Sequence, residues 1–248
     1  MPSSEPLSLL CAGAAKGLVL ALQAPFFAAT GARIDARFGA VGAMKDALLS
    51  SDTRATSVNR ASPHAPCDVF LATQNMVDAL CVSGHLNASQ RNDLGCVRTG
   101  IAVKRGESTP DVSSPAALKA ALLAASQIFF PDPERATAGI HFAKVVRELG
   151  IYDDISARFK TYPNGATAMA AMALADEHNA IGCTQVTEIN YTEGVTLVAA
   201  LPAEFELATV YTAAVCTGSL QSGLAAQWVA WLGGAESAAL RVAGGFEI

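Results

Sequence analysis

Short apolar runs that stop at small residues and pass straight into helical patterns recur along this chain, and they leave few folds open. Residues 7–11 are apolar apart from Ser8 and lead into Ala12-Gly13-Ala14-Ala15. A helical pattern follows over 16–30, with Gly31 placed to cap it. Residues 34–38 read as a second strand, in which Asp35 and Arg37 alternate with apolar residues, and Gly39-Ala40-Val41-Gly42 leads into a helix over 43–49. A strand that is apolar on both faces needs helices on both sides of its sheet, which is the environment of parallel strands. Strands alternating with helices to the end of the chain predict α/β architecture with mostly parallel sheets.

The most informative copy of the plan is FFPDPERATAGIHFA, residues 129–143. It reads as the end of a buried strand over 127–130, a Pro-Asp-Pro turn, and a small-residue entry into a helix over 138–149. The first amides of such a helix have no intrahelical acceptor and point out where the strand ends, which suits an anion. The small Ala138 and Gly139 would let a ligand approach the backbone closely. His141 and Arg135 lie within a turn of this terminus.

The rest of the chain fills in around these units. Residues 50–66 are rich in Ser, Thr, Asn, Arg and Pro and read as a long surface loop carrying His64, a candidate lid. A third strand over 68–72 ends at Thr73 and Gln74, a helix covers 76–82, and 84–95 reads as a polar connection. Ser114 is placed to cap a helix that has Pro115 at its first position and runs to about 125. A brief strand at 161–162 precedes Pro163-Asn164-Gly165 and a helix over 166–177. A strand over 180–184 ends at Gln185, and Thr187 and Glu188 begin a short helix. Strand 196–199 and two helices over 221–232 and 235–241 complete the pattern. Two β-rich runs, 97–104 and 207–216, are candidates for a double crossover between two lobes.

Composition narrows the functions. With 51% hydrophobic residues the chain can bury a sizeable core, and its net charge is −5. It has no basic stripe with interleaved aromatics, so no nucleic-acid partner is expected. Its longest apolar stretches are shorter than the roughly 18 residues of a membrane span, so no membrane insertion is expected. Six cysteines lie far apart without CxxC spacing, which argues for reduced, buried thiols and against a structural zinc site. The first residues lack a basic region before an apolar run. The expected location is cytoplasmic as the chain is given, and periplasmic if a leader has been trimmed. No GxSxG, Walker or HExxH pattern is present, and neither a metal nor a cofactor is expected.

The segments CAGAAKGL, FGAVGAM, CDVFLAT, FPDPERATAGIHFAKVVRELGI, PNGATAM and IGCTQVTEI occur in this order. Together they resemble the molybdate-binding protein family of ABC transporters, within the type 2 periplasmic-binding-protein fold. The likeness spans essentially the whole chain. It implies two α/β lobes joined by crossing strands, residues 1–97 completed by 212–248, and 98–211. It also implies an anion held in the cleft between them, with ligand contacts at Gly13, Ala14, Ala15, Val41, Gly42, Thr73, Ala138, Gly139, Asn164, Gly165 and Gln185. The partner would be a small anionic ligand, and an ABC permease if the chain is exported. Three departures stand out: Ala14 replaces a serine, Ala40-Val41-Gly42 replaces a serine run, and Gln185 replaces a tyrosine. Each lost hydroxyl removes a charge-assisted hydrogen bond worth roughly 1.5–3 kcal/mol. The expected guest is therefore a carboxylate rather than molybdate.

The same branch of the fold also resembles aconitate isomerase, which shifts a proton across an allylic system and needs one placed base. His141, Lys16 and Glu188 are the candidate catalytic residues that this second likeness implies. Each has a plain structural alternative: a satisfied core histidine, a helix lysine lying along the surface, and a charge near a helix N-terminus. Arg98 is open between an ion pair and a cation facing the ligand. A receptor, an isomerase of an unsaturated polycarboxylate and a ligand sensor all remain open at this level.

Overall fold

The computed structural model describes residues 5–55 and 67–248, and it divides the chain into two compact units. Unit 1 is Met1–Cys96 with Val210–Ile248, and unit 2 is Val97–Thr209. In chain order unit 1 contributes β1 (Leu7–Ala12), α1 (Lys16–Thr30), β2 (Ile34–Gly39), α2 (Val41–Ala55), β3 (Val69–Thr73) and α3 (Gln74–Val82). The chain passes from unit 1 to unit 2 within β4 (Leu86–Lys104). Unit 2 then holds α4 (Pro115–Ala124), β5 (Ile128–Pro131), α5 (Thr137–Glu148), α6 (Tyr152–Ile155), β6 (Phe159–Tyr162), α7 (Gly165–Leu174), β7 (Ile181–Gln185), α8 (Val186–Tyr191) and β8 (Val195–Ala200). The return lies within β9 (Ala208–Cys216), and unit 1 closes with α9 (Ser222–Gly233) and α10 (Ala235–Gly244).

The α/β plan is present in both units. In unit 1, β1 pairs in parallel with β2 and with β3, while β9 joins β3 antiparallel. In unit 2, β5 pairs in parallel with β6 and with β7, and β4 lies antiparallel to β7 and to β8. The inner parallel strands are apolar on both faces, as the four buried residues at the start of β3 illustrate, whereas β2 and β6 pair in parallel at the edges and carry exposed positions. The expected helix ends recur at two places. Gly31 follows α1 in the left-handed conformation with φ 71°, and Ser114 Oγ accepts the Ala117 N–H at 3.2 Å.

Three local expectations are corrected. Residues 86–95 are not a polar connection but the first half of β4, where exposed polar residues alternate with partly buried ones as along one solvated sheet face. Residues 50–55 are not loop, because α2 continues through Ala55; the rest of that segment, with His64, lies outside the described residues. Helix α7 ends at Leu174 rather than 177, since Ala175 leaves helical geometry with ψ 142°.

Unit 1 is closed by polar side chains that its C-terminal segment supplies. Asp68 is 4% exposed and accepts the Ser8 N–H at 2.9 Å and the Ser219 hydroxyl at 2.6 Å, which ties β1 to the return after β9. Arg241 is 6% exposed and reaches the carbonyls that end α9. Its guanidinium donates to Gly233 O and Gly234 O at 2.9 Å, to Leu94 O at 2.7 Å and to Ser237 Oγ at 2.9 Å. A cation at a helix C-terminus meets the negative end of the peptide dipoles, so carbonyls rather than a carboxylate hold this charge. Replacing Arg241 with Met leaves several buried carbonyls unpaired. Arg241→Met is expected to lower the stability of unit 1 by about 3 kcal/mol, read from urea unfolding.

Candidate functional site

Parallel pairing fixes where the candidate groups lie. The register sets Ala12 opposite Gly39 and Cys11 opposite Leu71, so β1, β2 and β3 end at one edge of the unit 1 sheet. Helices α1, α2 and α3 start from that edge, and none has an acidic residue in its first turn. Residues 13–15 form a 3-10 turn ahead of α1, with Ala14 and Ala15 buried and no side chain capping the turn. Val41 and Gly42 open α2, and Thr73 precedes α3 in extended geometry without using its side chain as a cap. The Lys16 ammonium lies 5.8 Å from the centre of the Phe38 ring, a cation–π contact within unit 1. An open hollow of about 530 Å³, lined among others by Cys81, Asn87, Gln90 and Ser219, is a separate feature. It lies where β9 ends, at the opposite edge of the sheet.

In unit 2 the carboxyl ends of β5, β6 and β7 again share an edge, and the Asp132 N–H donates to Tyr162 O at 2.7 Å across it. Helix α5 starts there after Ala136, which carries no capping side chain. Ala138 and Gly139 are buried in its first turn. The need for Gly139 is more specific than access for a guest. A Cβ at this position would stand 2.3 Å from both Pro131 O and Asp132 O, so the missing side chain lets α5 close onto its own strand. Asp132 Oδ1 accepts the N–H groups of Glu134 and Arg135 at 2.8 and 3.2 Å and holds the turn between them.

The first turn of α7 is supplied from within the chain. Asn164 Oδ1 accepts from the Thr167 N–H and from the Thr167 hydroxyl, each at 2.9 Å. Glu188 is 5% exposed and takes the Thr184 hydroxyl at 2.5 Å together with the amides of Gly165, Ala166 and Gln185. The Gly165 amide therefore serves an internal carboxylate. A Cβ on Gly165 would stand 1.8 Å from Thr184 Oγ1 and 2.0 Å from Glu188 Oε2, so only glycine admits that carboxylate. Burial pushes the Glu188 pKa up, and the hydrogen bonds from Thr184 and the three amides oppose the rise.

Gln185 stands out on the other face of the strand. Cys183 packs in the core shared with Phe142 and Val146 of α5, whereas a Cβ on Gly182 would strike Met169 on the α7 side. Alternation along β7 thus points Thr184 toward Glu188 and Gln185 toward α5. Gln185 is 2% exposed, and neither Oε1 nor Nε2 has a hydrogen-bond partner. Thr99 lies directly opposite in the antiparallel register, is 1% exposed, and its hydroxyl is also unpartnered. The Thr187 hydroxyl, 5% exposed, is in the same condition. Buried polar atoms are rarely left so, because each costs about 1–3 kcal/mol. Thr99 and Thr187 were not among the residues singled out by sequence. The signal available there was only a hydroxyl within a β-rich run and another in the first turn of a short helix, which many chains share.

The titratable candidates are separated by these contacts. His141 Nε2 lies 2.8 Å from Phe205 O, so that nitrogen carries the proton and anchors the segment before β9. The next residues of that segment lie beside the sheet edge, since the Thr99 N–H donates to Leu207 O at 3.1 Å. Arg98 forms an ion pair with Glu206 in the same place. No group of three or more potential metal ligands occurs among the described residues. No helix there is long and apolar enough to cross a membrane. All six cysteines are free thiols.

The fold is shared with solved solute-binding proteins. The periplasmic molybdate-binding protein of Azotobacter vinelandii superposes with a TM-score of 0.74 at 18% identity, covering 98% of this chain and 99% of that one. The sulfate-binding protein of Mycobacterium tuberculosis gives 0.70 at 14% identity, covering 97% and 86%. Residues 7–247 match the bacterial extracellular solute-binding protein family, and the chain belongs to it. Among curated sequences, an aconitate isomerase from a Pseudomonas species is 24% identical over 214 residues, which is 86% of this chain and 76% of that protein.

Two outcomes follow from the packing of α5 and α7. Gly139→Ala is expected to cost about 2 kcal/mol or more, because backbone carbonyls cannot yield as a side chain can; chemical denaturation reads it. For Glu188, the folded pKa lies above the unfolded one, so its stabilising share is complete below the unfolded pKa and is lost as pH rises through the folded value. The melting temperature of the wild type relative to Glu188→Gln should therefore fall as pH is raised above the ordinary carboxylate range. A difference that stays constant with pH would remove Glu188 as the source.

Proposed function

We propose that this chain is a receptor for a small carboxylate anion. The observation that carries the reading is the buried, unpartnered amide of Gln185 beside Thr99, on the face of the unit 2 sheet against which α5 begins. Helix α5 has neither a capping side chain nor an acid in its first turn. Its amides would hold one carboxylate, and Gln185 and the threonine hydroxyls would hold the polar remainder of the guest. In unit 1, the main-chain donors near Gly13, Ala14, Ala15, Val41, Gly42 and Thr73 are those that the resemblance assigns to an anion. Ala138 and Gly139 supply the α5 amides, and Asn164 retains its Nδ2 for the ligand. The missing hydroxyl at Ala14 and the amide in place of a tyrosine at Gln185 favour a planar carboxylate over a compact tetrahedral oxyanion. As a member of an extracellular family, the receptor would act outside the cytoplasmic membrane and hand its ligand to an ABC permease.

A second reading rests on the likeness to the Pseudomonas aconitate isomerase. There a base removes one allylic C–H proton, the double bond moves by one position, and the proton returns to the other end of the allylic system. Of the three candidates, Glu188 is held by Thr184 and three main-chain amides at the start of α7, which leaves Lys16 and His141 for that work. His141 would act through Nδ1, since Nε2 is engaged by Phe205.

A thermal-shift screen of oxyanions and di- and tricarboxylates tests the first reading. A true ligand at 100 times its dissociation constant adds about 2.7 kcal/mol and raises the melting temperature by several degrees. A shift with molybdate or sulfate and none with any carboxylate would overturn the assignment. Proton NMR of cis-aconitate with the protein tests the second, and an unchanged spectrum over hours rejects it.

A further inference from the structure

We propose that the ligand carries a hydrogen-bond donor beside its negative charge, as a hydroxycarboxylate does, and that Gln185 selects for that donor. The inference rests on the carboxylate reading above and narrows it to a chemical class. A primary amide offers one acceptor oxygen and two N–H donors. In Gln185 both ends are buried and unpartnered, so the argument does not depend on which of the two terminal atoms is oxygen.

A fully deprotonated oxyanion or an unsubstituted polycarboxylate has acceptors only. Such a guest satisfies the amide nitrogen and the hydroxyls of Thr99 and Thr187, and leaves the Gln185 oxygen buried without a donor. The hydroxyls of Thr99, directly opposite in the register, and of Thr187, two residues further along the chain, are the substitutes to weigh. Neither makes that bond in the structure, and a hydroxyl turned toward Gln185 would no longer serve the anion. No lysine, arginine or histidine among the described residues is bonded to Gln185. A guest hydroxyl completes the set, because it donates to the amide oxygen while its own oxygen accepts from a threonine. A site of this kind discriminates sharply, since the analogue that lacks the group leaves a buried polar atom unpaired.

The test is a set of matched ligand pairs measured by isothermal titration: malate against succinate, and citrate against tricarballylate, with molybdate and sulfate as acceptor-only references. The hydroxylated member of at least one pair is expected to bind about tenfold tighter or more. In Gln185→Met, which keeps the length of the side chain without its polar atoms, that preference should shrink to about twofold or less. Equal affinities within each pair in the unmodified protein overturn the proposal and leave the carboxylate reading standing. A hydroxyl preference that persists in Gln185→Met overturns the role of Gln185. If no carboxylate binds at all, the functional reading fails and this inference fails with it. The comparison of ligand pairs in the unmodified protein decides the matter even where the variant does not fold.

Discussion

The close seating of α5 on the end of β5 depends on a single missing atom, and much of unit 2 depends on that seating. With no Cβ at Gly139, the first turn of the helix presses against the carbonyls of Pro131 and Asp132. The apolar face of α5 then covers the sheet through Phe142, Val145 and Val146, in one core with Ile128, Phe130, Ile181 and Cys183. Edge-to-face contacts of Phe130 with Phe142 and with Phe159 fix the same layer. Because β5, β6 and β7 run in parallel, that one seating also decides which edge of the sheet receives free helix amides.

The two helix starts in unit 2 solve the same electrostatic problem differently. Both have main-chain amides without intrahelical acceptors. At α7 the chain supplies its own anion, Glu188, and its own cap, Asn164. At α5 it supplies neither, and the neighbouring Gln185 and Thr99 are left with unpaired polar atoms. A helix that carries its anion internally is finished as a structural element. A helix without one, next to buried donors and acceptors, is where the proposed reading places the guest. Unit 1 shows the complementary case at a helix C-terminus, where Arg241 satisfies the last carbonyls of α9.

The membership of the family accommodates both functional readings, since receptor and isomerase differ in what happens after the anion is held. The contact of His141 with Phe205 gives the ring a structural duty in ordering the segment beside Thr99. Glu188 has a structural duty of its own at the start of α7, so the chemistry of the ligand distinguishes the readings.

The sequence by itself determined the order of strands and helices, because apolar runs and small-residue turns are local patterns that hold wherever the chain goes. It marked the ends of α1 and α4 through Gly31 and Ser114, and the family resemblance drew attention to Gln185. It misread residues 84–95, because a polar half-strand paired on a solvated face has no apolar run to reveal it. Only the tertiary structure decided the rest. Whether Glu188 meets a guest or the start of α7, whether Gly139 makes room for a ligand or for its own strand, and whether Thr99 lies beside Gln185 are all matters of register between distant segments. Pairing of that kind is set by how whole faces of the sheet pack, and no local pattern of residues encodes it.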